Sequence, residues 1–155
     1  LASWVVGLFQ ATINEVVALA VLMPVVASMG GIAGSQTLTL IIRAQALEPI
    51  SKSNARSLLG RELAIGALNG LAWALLIAVV ALFWFDNQKL GFVIAVAVFV
   101  NMLFAALAVF SIPLLLKKLS VDPALAGSVV LTTVTDVVGF FAFLGLDSLL
   151  LVAVV

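Results

Sequence analysis

Residues 124–155 read ALAGSVVLTTVTDVVGFFAFLGLDSLLLVAVV, an apolar run broken only by hydroxyl residues, small residues and two carboxylates, Asp136 and Asp147. A bilayer-spanning helix needs roughly 20 such residues, so this stretch is long enough to cross. Three others match it: 16–42, which contains Pro24 and a glycine cluster; 63–85, built of Ala, Leu, Ile, Val and Trp; and 91–116, with Asn101 and Pro113. Charges collect between the runs, in 43–62 (Arg43, Glu48, Lys52, Arg56, Arg61, Glu62), in the tight turn DNQKL at 86–90, and in KKLSVDP at 117–123.

Composition agrees with this division. Hydrophobic residues make up 65% of the chain and charged residues 9%, whereas a soluble domain is about half apolar and a quarter charged. Water cannot wet so apolar a surface, but lipid can. The expected fold is an all-α membrane protein: a bundle of four full transmembrane helices plus the end of a truncated first helix. That end is 1–10 (LASWVVGLFQ), too short to span and without the basic start of a signal peptide; the protein is expected to be longer there.

Six of the seven basic residues lie in 43–62 and 117–118. Basic loops stay cytoplasmic, which puts 86–90, 10–15 and the C-terminus outside. Trp84 then serves as an outer aromatic anchor. Formal net charge is zero, which gives no reason to expect a nucleic-acid partner. His and Cys are absent, so imidazole and thiolate chemistry are excluded, and any metal must be held by oxygen, which favours hard ions such as Mg²⁺ or Ca²⁺. No Ser–His–Asp set, Walker loop or dinucleotide fingerprint is present, so no enzyme is expected.

Asp136 demands explanation. It follows Pro123 by 13 positions, which at about 1.5 Å per residue puts it roughly 20 Å from the cytoplasmic edge. A carboxylate at that depth costs at least about 2.5–3.5 kcal/mol, and TTVTDVVGFF offers it no basic partner. It is either a protonated group bonded to a neighbouring helix or an ion site facing water. Ser128, Thr132 and Asp136 recur at i, i+4, i+8 and share one stripe, continued by Gly139; this polar lane favours the second reading, although hydroxyls also bond back to their own helix.

Gly30, Gly31 and Gly34, with Ala27, Ala33, Ser35 and Thr39, give the first long helix a side nearly free of side chains. Close helix packing is one use of it; a helix loosened at Pro24, with carbonyls turned to a water path, is another. Gly66 and Gly70 form a GxxxG read as packing alone, and Gln36, Asn69 and Asn101 read as interhelical hydrogen bonds. Asp147, near the outer end, reads as a solvated mouth residue ahead of a second ion site.

Two motifs carry a family likeness. PVVASMGGIAGSQTLTLIIRA (24–44) resembles the signature of the MgtE magnesium channels, close to P-x-x-A-G-M-G-G-N-A-G-x-Q before a polar helix and Arg. DPALAGSVVLTTVTDVVGFF (122–141) resembles their last helix, with the same D-P-A start and D-x-x-G. The order and lengths of the helices between match as well. The resemblance implies a homodimer in a prokaryotic plasma membrane, five membrane helices per subunit, and a pore on the dimer axis for passive Mg²⁺ uptake. It implies that Asp136 holds a hydrated Mg²⁺, the transported ion, and that Gly31, Ser35, Thr39, Ser128 and Thr132 line the path. Cytoplasmic regulatory domains, including paired CBS modules, are implied for the full-length protein. Ile32 stands where the family has Asn, Ser28 where it has Gly, Ser128 where Asn is frequent and Val129 where Pro is common; the loss of a polar group at Ile32 bears on selectivity among Mg²⁺, Ca²⁺, Mn²⁺ and Co²⁺. An alternative is a secondary transporter exchanging a divalent cation against H⁺ or Na⁺, with Asp136 as its carrier.

Overall fold

The computed structural model describes residues 1–47 and 52–150. These form α1 (Ala2–Leu8), α2 (Gln10–Glu15), α3 (Ala18–Leu47), α4 (Lys52–Phe85), α5 (Gln88–Lys118) and α6 (Pro123–Leu150). Among the described residues four helices, α3 to α6, are long and apolar enough to cross a membrane. The protein is all-α, as its hydropathy requires. Glu48 and the end of the last apolar run, 151–155, lie outside the described residues.

Helices outrun the apolar segments. The charged segment 43–62 is read from sequence as a loop, yet α3 continues to Leu47 and α4 begins at Lys52. Arg, Lys and Glu are good helix formers, and a helix leaving the bilayer has no reason to stop at the lipid boundary. The turn expected at 86–90 contracts to Asp86 and Asn87. Asp86 takes a positive φ of 49°, and Asn87 caps α5 by accepting from the Leu90 N–H at 3.1 Å. At the opposite end Lys117 and Lys118 occupy the last turn of α5, where cations suit the helix dipole. Asp122 Oδ1 accepts from the Ala124 N–H at 2.8 Å, and Pro123 opens α6; a capping Asp followed by Pro is a strong helix start.

α5 is the centre of the bundle. It packs against α3, α4 and α6, and α6 packs in turn against α3 and the short α1 and α2. Half of the apolar stretch of α5 is buried, against 17% for α4, which lies outermost and leans chiefly on α5. Gly66 and Gly70 make that seam close: a Cβ on Gly66 would stand 2.7 Å from Ala106 Cβ, and one on Gly70 3.1 Å from Met102 Cβ. The GxxxG is a packing device. Phe9, between α1 and α2, meets Phe141 of α6 edge to face at 5.9 Å, so the N-terminal piece docks on the C-terminal half of α6. Trp84 is exposed near the end of α4 and stacks on Phe85 at 6.0 Å.

Pro24 does not loosen α3, which is α-helical from Ala18 to Leu47. Membrane helices tolerate an internal proline when neighbours compensate. The water path through an unwound α3 is therefore overturned, and the glycine cluster divides between two tasks taken up next.

Candidate functional site

α6 presents two stripes one residue apart, one buried and one polar. Gly127, Leu131, Thr135, Gly139, Phe143 and Asp147 are buried and face the bundle. Ser128 and Thr132 are exposed and Asp136 is half-buried, so the polar lane looks away from the bundle core. Gly139, read as its continuation, instead turns inward. Gly139 follows Asp136 by three positions, which turns it about 60° back around a helix of 3.6 residues per turn and onto the buried stripe of Thr135.

α3 supplies the opposite wall. Gly30 and Gly34 pack: a Cβ on Gly34 would meet Leu131 Cδ2 at 3.0 Å, and one on Gly30 would fall 2.6 Å from Asn101 Nδ2. Gly31 is different, since its nearest neighbours to a Cβ, Thr132 Cγ2 and Thr135 Oγ1, are 3.6 Å away. Between α3 and α6 lies an open hollow of about 480 Å³, lined by Ala27, Ser28, Gly31, Ile32, Ser35, Gln36, Thr132 and Asp136. Four of the six residues singled out for the path, Gly31, Ser35, Thr132 and Asp136, meet there. Thr39 and Ser128 do not line it; each is exposed one turn along from Ser35 or Thr132.

The hydroxyls are bonded along their own helices. Thr132 Oγ1 donates to the Ser128 carbonyl at 2.6 Å, and Thr39 Oγ1 donates to the Ser35 carbonyl at 2.9 Å. Such back-bonding uses the proton and leaves oxygen lone pairs outward, so the lane presents acceptors. Acceptors attract the water shell of a cation. No group of three or more His, Cys, Asp or Glu capable of caging a metal occurs among the described residues. One carboxylate with hydroxyl and carbonyl oxygens suits an ion held through water better than one stripped and chelated.

Sequence reasoning missed Gln36 as a lining residue, although it follows Ile32 by four positions and shares its face. Ile32 is 61% exposed and sets an apolar edge on the hollow. Asp147 corrects an expectation: it is fully buried, with neither carboxylate oxygen partnered among the described residues, and is no solvated mouth residue. Asn101 bears out the interhelical reading, its Nδ2 donating to the Val26 carbonyl of α3 at 2.7 Å.

The chain is thus a polytopic helical membrane protein with an oxygen-lined, carboxylate-bearing hollow. The family model described as MgtE, divalent cation transporter, matches residues 23–146, and the chain belongs to that family. It is 34% identical over 142 residues to the magnesium transporter MgtE of Bacillus subtilis, covering 92% of this chain and 32% of that protein. It is 36% identical over 146 residues to the magnesium transporter MgtE of Thermus thermophilus, covering 94% of this chain and 32% of that protein. The chain thus spans about a third of the length of these relatives.

Proposed function

We propose that this chain forms, as a homodimer, a passive pore for Mg²⁺, with Asp136 of each subunit holding the hydrated ion. The observation that carries the reading is the hollow itself: Asp136, Thr132, Ser35 and Gly31 converge on a space open along one side. A polar hollow open to acyl chains would leave a carboxylate in hydrocarbon, which is expensive. A second copy facing it encloses the space, gives a path with two carboxylates, and makes water its natural filling. Relatives named as magnesium transporters support Mg²⁺ as the substrate.

Speed follows from holding the ion loosely. Mg²⁺ dehydrates reluctantly, so a path that keeps its shell and contacts it through acceptor oxygens avoids that barrier. Conduction also needs binding weak enough for release, which two carboxylates acting through water supply. A potential of about 2.3 kcal/mol per charge per 100 mV draws the divalent ion inward without ATP. The basic ends of α3, α4 and α5 then face the cytoplasm, and the C-terminus faces outward.

Liposomes loaded with a Mg²⁺ indicator test this. The wild-type protein should admit Mg²⁺ under an inside-negative potential with no H⁺ or Na⁺ gradient, and Asp136→Ala should remove the flux while the dimer stays folded. Flux that stalls without a counter-ion gradient selects the exchanger, and an active Asp136→Ala protein removes Asp136 from the mechanism.

A further inference from the structure

We propose that Asn101 is a positioning residue for this path, a wedge on α5 that sets the distance between the two walls, α3 and α6. The inference rests on the pore reading above. Asn101 lies outside the hollow, is fully buried, and touches both walls at once. Its Nδ2 donates to the Val26 carbonyl at 2.7 Å, immediately before the lining residues Ala27 and Ser28. A Cβ added to Gly30 of α3 would fall 2.6 Å from that nitrogen, and one added to Gly139 of α6 would fall 2.8 Å from it. The carboxamide therefore fills the space that two missing side chains leave. Gly30 adjoins the lining Gly31, and Gly139 follows Asp136 by one turn, so the wedge bears on each wall next to its polar residues.

Stability alone is a poor account of this group. Its Oδ1 has no partner among the described residues, and a buried unpaired acceptor is unfavourable. Leucine has the same branched arrangement of heavy atoms, though bulkier methyl ends, and would carry no orphan atom. What asparagine adds is a directional bond to the α3 backbone, which fixes the wall as well as spacing it. A path that selects ions by the fit of a hydration shell depends on wall spacing, and Ca²⁺ sheds and rearranges its waters more readily than Mg²⁺.

Initial uptake of Ca²⁺ and of Mg²⁺ into liposomes, taken as a ratio, reads the spacing directly and cancels the amount of folded protein. Asn101→Ala should change the ratio by about threefold or more, modest beside what one methylene does in a fitted pocket. Adding Gly30→Ala, whose methyl points into the vacated space, should return the ratio toward wild type. If Asn101→Ala does not yield folded dimer, Asn101→Ser, a smaller side chain that keeps a donor, should shift the ratio in the same direction. A ratio unchanged in the folded variants, with wild-type flux present and Asp136→Ala silent, overturns the positioning role and leaves the pore reading standing. A wild-type protein that passes neither ion removes both.

Discussion

At the scale of single residues the site depends on which atoms are missing as much as on those present. Gly31 and Gly30 are neighbours with opposite tolerances. A methyl on Gly31 has 3.6 Å to its nearest neighbours, while one on Gly30 collides with Asn101 at 2.6 Å. Gly31→Ala should therefore fold and melt like wild type, within about 0.5 kcal/mol, whereas Gly30→Ala should lose about 1–3 kcal/mol to overpacking; thermal unfolding in detergent measures both. Asp136 stands out in the sequence because a carboxylate in mid-membrane is expensive and its i−4 and i−8 neighbours are hydroxyls; the structure sets it on the hollow. Asp147 is not legible as a buried group from its distance to the helix end alone; it shares the i+4 stripe of Thr135, Gly139 and Phe143, and only the packed bundle shows that this stripe faces inward.

At the scale of helices, length was legible and boundaries were not. Hydropathy marks where lipid ends, whereas helices end where a cap or turn ends them, as Asn87 and Asp122 do. Asp122→Ala removes the bond to the Ala124 N–H and should cost about 1 kcal/mol, read as a lower unfolding midpoint with uptake per folded protein retained. The α4–α5 seam permits a sharper separation of stability from transport. Gly66→Leu forces a branched side chain against Ala106, where even a Cβ stands at 2.7 Å, and α4 adds nothing to the lining of the hollow. It should lower the unfolding midpoint while the Ca²⁺ to Mg²⁺ uptake ratio stays at the wild-type value. A changed ratio would show that the α4–α5 seam is coupled to the path through α5.

At the scale of the molecule, the absence of cysteine makes topology directly measurable. Lys118→Cys, at the end of α5, should react with a membrane-impermeant maleimide only from the cytoplasmic side, and Lys89→Cys only from outside. The reverse pattern would invert the orientation drawn from the basic loops. One subunit supplies one wall pair and one carboxylate, so the account needs a second copy across the hollow. Its central claim is that water and a divalent cation reach the two Asp136 side chains there. Cryo-electron microscopy of the dimer in Mg²⁺ tests that most directly. Density for an octahedrally hydrated ion is expected on the two-fold axis between the two Asp136 carboxylates, lost when Mg²⁺ is removed. Asp136 turned to the lipid, or sealed in a dry contact with no subunit opposite, would contradict it.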